Sequence, residues 1–217
     1  MKIKILSVIA AGLLVMSCGD SAKDDGLEGP FNMASTVEKP SEEAKGYYGD
    51  IIYGDPDAPV TIIEYASLTC SHCGAFHTEV LPELKKELIE TGRAKLVFRN
   101  FVRDAYDLAG ATFARCEDDM EKVKKWQGLF FDRQHDWYKQ GVDPVQELAL
   151  LARKSGISRA KFDRCAINPD VQKYLRALVD EANVKLNITA TPTVYVNGMK
   201  LPDYQFETIK NAVEKAE

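Results

Sequence analysis

Val60-Thr61-Ile62-Ile63-Glu64-Tyr65-Ala66 runs through Ser67-Leu68-Thr69 into Cys70-Ser71-His72-Cys73-Gly74-Ala75-Phe76. The β-branched and apolar residues 60–65 read as a buried strand. From Ser71 onward the pattern changes: Phe76, Val80, Leu84 and Leu88 recur at every fourth position, which predicts a helix over about 71–91. Pro82 should kink that helix, and Gly92 ends it. A Cys-x-x-Cys set between a buried strand and a helix start is the layout of a redox-active dithiol. The head of a helix carries partial positive charge and unpaired N–H groups, so a thiolate there is favoured and its pKa falls. Cys70, in the opening turn, is expected to be the exposed, attacking sulfur. Cys73, one turn further in, is expected to be its buried partner, and His72, when protonated, adds positive charge beside Cys70. A stabilised thiolate is a good leaving group and favours the reduced form, so such a pair tends to hand its disulfide on.

Outward from this stretch, Ala94 to Phe101 reads as the next strand, making a strand–helix–strand crossover with parallel strands. Upstream, Ile51-Ile52-Tyr53 reads as a short first strand, followed by the turn Asp55-Pro56-Asp57-Ala58-Pro59. Residues 104–186 are helical in pattern almost throughout. Asp143-Pro144-Val145-Gln146 is a capped helix start, Ser158 caps a short helix ending near Ala166, and Asn168-Pro169-Asp170 opens the last helix of the group. Strand character returns at Thr193-Val194-Tyr195-Val196. Asn197-Gly198 is a hairpin turn that sends Met199-Lys200-Leu201 back antiparallel. A final helix over about 204–216 has Phe206, Ile209 and Val213 on one side.

Residues 1–18 read as a targeting signal: Lys2 and Lys4 precede an apolar core from Ile5 to Met16 that is too short to span a bilayer. Val15-Met16-Ser17-Cys18 looks like a lipobox, in which Cys18 is lipidated and becomes the new N-terminus; ordinary secretion is the alternative. Either route carries the chain out of the cytoplasm, to a periplasmic location tethered to a membrane if Cys18 holds lipid. There disulfides persist. Residues 19–45, rich in Asp, Glu, Lys, Gly, Ser and Pro, read as a flexible tether. The 217-residue chain has a net charge of −5 and no basic cluster interleaved with aromatics, which argues against a nucleic-acid partner. With Cys18 set aside, four of the five cysteines remain: Cys70, Cys73, Cys116 and Cys165.

Glu64 precedes Cys70 by six residues, and Thr191-Pro192 precedes the late strand. Together with Cys70-Ser71-His72-Cys73 and the order of elements, they give residues 46–217 a resemblance to the DsbA-type thiol–disulfide oxidoreductases. The resemblance implies an α/β fold: a thioredoxin fold (46–103 and 187–217) interrupted by an inserted helical domain (104–186). The family has a histidine before the second cysteine, as His72 is here, and often a proline after the first, where this chain has Ser71. It implies that Pro192 is cis and packs beside the disulfide, so that the Thr191 backbone is offered to an extended substrate chain; a trans proline that merely starts a strand is the alternative. It also implies donation of the disulfide to reduced or unfolded secreted proteins, with reoxidation by a membrane-bound, quinone-linked partner. Glu64, on the buried strand, is expected to take and return the proton of Cys73, unless it is a strand-end carboxylate reaching water.

Cys116 and Cys165 stand 49 residues apart. As a disulfide they would stabilise the fold by about 4 kcal/mol in the chain-entropy model. Some family members carry a second pair in this region; two separate buried thiols are the alternative. Cys70, Cys73 and His77 can share a helix face, but no fourth ligand is near in sequence, and no metal or other cofactor is expected. Gly74 stands where a c-type haem site needs histidine. Isomerase or reductase chemistry would use the same motif. A lipoprotein binding module with an inert Cys70–Cys73 bridge is the reading from another class.

Overall fold

The computed structural model describes residues 35–41 and 43–217. The targeting signal over 1–18, Cys18 and most of the expected tether lie outside the described residues. Residues 35 and 36, within the stretch expected to be a tether, lie against the helix Pro169–Leu186. There Ser35 Oγ donates to Glu181 Oε2 (2.7 Å), the Thr36 amide donates to Glu181 Oε1 (3.1 Å), and Lys185 Nζ donates to Thr36 Oγ1 (2.7 Å).

The strands are β1 (Ile51–Tyr53), β2 (Val60–Ala66), β3 (Ala94–Asn100), β4 (Thr193–Val196) and β5 (Met199–Lys200). They form a sheet in the order β1-β3-β2-β4-β5, with β2 and β3 parallel and the other pairings antiparallel. β2 is central and buried on both faces, which is why its sequence is almost unbroken in apolar residues. Successive side chains of a strand point to opposite faces. Val60, Ile62 and Ala66 therefore join the main core, while Ile63 and Tyr65 join a smaller one with Ala182 and Ile188 behind the sheet. Glu64 has the parity of Ile62 and Ala66, so it faces the main core. The Asn197-Gly198 turn has φ of 44° and 81°, the left-handed pair a tight hairpin requires.

The cysteine helix does not carry a simple kink at Pro82. It alternates α-helical turns, α1 (Ser71–Ala75) and α2 (Leu81–Leu84), with π-helical turns Phe76–Val80 and Lys85–Ile89. Pro82 has no N–H to give to the preceding turn. The ladder there opens by one residue, and the Leu81 amide bonds the carbonyl of Phe76.

Six helices stand between β3 and β4 among the described residues. They are α3 (Ala105–Ala114), α4 (Met120–Asp132), α5 (Gln134–Trp137), α6 (Pro144–Lys154), α7 (Arg159–Ala166) and α8 (Pro169–Leu186). Five have a side-chain cap at the N-terminus: Asp104, Asp119, Asp143, Ser158 and Asn168. Phe113, Trp126, Phe130 and Phe162 pack together inside this group, and Trp137 Nε1 donates to the carbonyl of Phe130 (2.7 Å). Cys116, just past α3, is disulfide-bonded to Cys165 in α7, with Cα atoms 5.3 Å apart. α9 (Phe206–Ala216) closes the chain, with Ile209 and Val213 buried.

Candidate active site

Cys70 is the residue before the first turn of α1. Its backbone is extended, and its carbonyl accepts the Gly74 amide (3.0 Å). This geometry aims the amides of His72 and Cys73 at its sulfur. The Cys70 thiol is brought down to about 4. The hydrogen bond from the Cys73 thiol is the largest cause. Burial opposes it, and Thr191 and the two amides add to the lowering. The Cys73 thiol moves the other way, pushed up by burial, by its bond to Cys70 and by the charges of Glu64 and Cys70. One sulfur is thus held ready as an anion and the other holds a proton. What residue 72 contributes to the thiolate is its amide. The His72 ring turns outward, with Nδ1 2.9 Å from the hydroxyl of Tyr204.

Cys70 was expected to be exposed, yet it keeps only 5 % of its surface and Cys73 none. The cover is the segment leading into β4. The register pairs Thr193 with Tyr65, and two further residues bring Thr191 level with Ser67, beside the loop that leads into α1. The Thr191–Pro192 bond is cis, and the Thr191 carbonyl oxygen lies 3.2 Å from Cys70 Sγ. Ser71 and His72, next to the sulfur in sequence, remain exposed and form the open edge.

Beneath α1, Glu64 is fully buried. Its Oε2 lies 3.0 Å from Nε2 of His77, whose ring stacks on Phe131 with centroids 4.0 Å apart. Burial raises the Glu64 carboxyl above the usual range, and the His77 interaction only partly offsets this. His77 faces the strand, so it does not combine with the cysteines as a ligand set.

Three more groups hold the loop before Cys70, and none of them stood out in the sequence. Gln134 in α5 is buried and donates through Nε2 to the carbonyls of Leu68 (2.8 Å) and Cys70 (2.9 Å). Asp107 in α3 accepts the amides of Leu68 and Arg103 (3.0 Å each), and burial pushes it up to about 7. Asp104 accepts from Thr69 Oγ1 (2.7 Å). Asp104 is the N-cap of α3, and an Asp ahead of a helical run is the signal that finds it. Gln134 and Asp107 give none for this loop, because the Leu68 backbone that both bind lies 66 and 39 residues away.

The pattern of a family described as thioredoxin matches residues 47–215. A Rickettsia conorii protein provisionally named a protein-disulfide oxidoreductase is 30% identical over 172 residues, covering 77% of this chain and 60% of that protein. The chain spans about three-fifths of the length of the Rickettsia relatives it matches. The disulfide bond formation protein D of Bacillus subtilis is 28% identical, covering 77% of each chain. The crystal structure of Wolbachia pipientis alpha-DsbA1 superimposes with a TM-score of 0.70 at 29% identity, over 77% of this chain and 90% of that one. Its likeness gives the architecture its name, an α/β thioredoxin fold with a helical insertion. The chain belongs to the thioredoxin family, as a member of the DsbA type.

Proposed function

We propose that this protein is a thiol–disulfide oxidoreductase that donates the Cys70–Cys73 disulfide to reduced or unfolded polypeptides outside the cytoplasm. A substrate thiolate attacks Cys70 Sγ; the Cys70–Cys73 bond breaks and Cys73 leaves, taking up a proton. A second substrate thiolate then attacks the substrate sulfur of the mixed disulfide, and Cys70 leaves as thiolate. The substrate loses two electrons and the dithiol gains them, so a reoxidising partner is required; the family analogy makes it a membrane quinone-linked oxidase. The observation that carries the reading is the asymmetry of the pair, a Cys70 thiol at about 4 beside a Cys73 thiol pushed upward. A leaving group of low pKa departs fast and pulls the equilibrium toward the reduced protein. The name of the Bacillus subtilis relative, a disulfide bond formation protein, supports the same direction.

In this reading Cys70 is the sulfur attacked and then the leaving group, Cys73 its buried partner and Glu64 the local proton store. The amide of residue 72 supports the thiolate, and Thr191-Pro192 presents backbone to an extended substrate. Cys116–Cys165 is a structural brace. The catalytic unit is 46–103 with 187–217, and 104–186 covers one side of the redox centre. Residues 1–18 direct export, Cys18 carries a lipid, and 19–45 link anchor to fold.

The test is an equilibrium titration of the dithiol against glutathione, with oxidation of a dithiol peptide measured alongside. A donor shows a potential well above that of the glutathione pool and oxidises the peptide stoichiometrically; Cys70→Ser removes both. A potential near −270 mV, that of thioredoxin, would identify a reductase, and a pair that never exchanges would identify an inert bridge.

A further inference from the structure

We propose that His77 is a positioning residue for the redox reaction: paired with Glu64, it connects the proton of Cys73 to solvent. The inference rests on the function proposed above and adds a residue to it. Cys73 and Glu64 are completely buried. When the Cys70–Cys73 bond breaks, the leaving sulfur of Cys73 needs a proton that water cannot deliver directly. Glu64 is on the face of β2 that looks at the cysteines, and its charge acts on Cys73. A carboxyl that gives up its proton there becomes a buried anion, a costly state unless it is paired. His77 is the pair. Its Nε2 is 3.0 Å from Glu64 Oε2, and its side chain alone of the three keeps some surface, 3%.

The step balances. One proton is shared between Glu64 and His77 while the disulfide is intact. Opening of the disulfide moves it to the sulfur of Cys73, and the imidazole then draws one proton from water, which restores the Glu64–His77 pair. Reoxidation runs the same transfer backward. The other Glu64 oxygen is buried without a partner, so a proton there meets no competing acceptor. The ring of His77 is fixed by stacking on Phe131 and by edge contacts with Phe98 and Phe76, so Nε2 stays aimed at the carboxyl. The titratable groups facing the pair are Cys70 and Cys73 from the helix head and Tyr53 from β1. β3 and α4 present Phe98 and Phe131, which carry no charge.

The imidazole of His77 can be followed by NMR with pH in the oxidised and reduced protein. Coupling to Cys73 makes the two titration curves differ, whereas superimposable curves would overturn the proposal. Single-turnover oxidation of a dithiol peptide by His77→Gln, across the same pH range, is the second measurement. Loss of a positioned proton carrier lowers rates by factors of about 100 or more. At least a tenfold fall is expected here, with loss of the wild-type inflection and with the thiolate absorbance titration of Cys70 unchanged. Wild-type rates and inflection in His77→Gln would overturn the role of His77 while leaving the oxidoreductase reading intact. A wild-type protein that fails to oxidise the peptide would sink that reading, and the NMR curves would still decide His77.

Discussion

The molecule holds two cysteine pairs, and their positions on helices are opposite. Cys70 stands at the head of α1, where amides point at its sulfur. Cys165 lies in the last turn of α7, and Cys116 follows the end of α3, so both stand at the C-terminal ends of helices. Helix dipoles favour an anion at the first position and disfavour it at the others. A thiolate is the leaving group when a disulfide opens, so the same bond is easy to surrender at 70–73 and hard to open at 116–165. Loop length divides them too. Cys70 and Cys73 close one helical turn, whereas Cys116 and Cys165 close a loop of 49 residues and restrict the unfolded chain far more. One pair suits exchange and the other restraint.

Deleting each pair in turn should separate the two roles most strongly. Cys70→Ser should reduce disulfide transfer to a peptide to the uncatalysed background. The double change Cys116→Ala with Cys165→Ala should keep transfer within a few-fold of wild type and lower unfolding free energy by about 4 kcal/mol. Peptide oxidation and denaturant titration measure these, and transfer lost in the double variant would break the contrast.

Acidity should act on the first pair alone. The Cys70 thiol lies near 4 in the fold against an ordinary 9.0. Between those values the unfolded reduced chain binds a proton there that the folded one does not, so the stability of the reduced protein rises with pH across this window. That contribution is complete above about pH 9 and is lost as pH falls toward 4. Above pH 9 Cys73 acts in reverse, because its raised thiol keeps its proton only in the fold. Denaturation should therefore show the stability of the reduced protein relative to the oxidised protein falling steadily from pH 8 to pH 4. A constant difference would mean that the helix head does not hold the anion.

The smallest effect concerns the support behind the helix head. A Cβ on Gly74 would come within 2.5 Å of Gln134 Oε1, and Gln134 is held by its bonds to the carbonyls of Leu68 and Cys70. Gly74→Ala should displace that amide and destabilise by about 1 kcal/mol, the loss of buried hydrogen bonds less the gain of alanine over glycine in a helix. The denaturant midpoint reports it, and an unchanged or higher midpoint would show that Gln134 moves aside freely.

Much of this site was legible before folding. The strand at 60–66, the cysteines at its end, the hairpin at Asn197-Gly198 and the caps at Asp143, Ser158 and Asn168 are local patterns, and local patterns persist in the structure. The nearly continuous apolar run of β2 hid which face each residue takes, so the burial of Glu64 stayed open until β3 and β4 were in place on either side. The covering of Cys70 was hidden as well, since the Thr191 carbonyl that shields it is 121 residues away. His77 stood in view on the face of Cys73, but nothing near it in sequence said that its partner was Glu64, 13 residues earlier.

The order of residues by itself determined where helices and strands begin, which cysteines share a turn and which sulfur meets the amides, because those depend on neighbours within a few positions. Only the tertiary structure decided how open that sulfur is, which groups brace its loop and where a buried carboxyl finds its partner. The reason is dielectric as much as distance: burial and pairing of a charge are properties of a packed interior, and that interior exists only once β4 and the helical insertion have closed over β2.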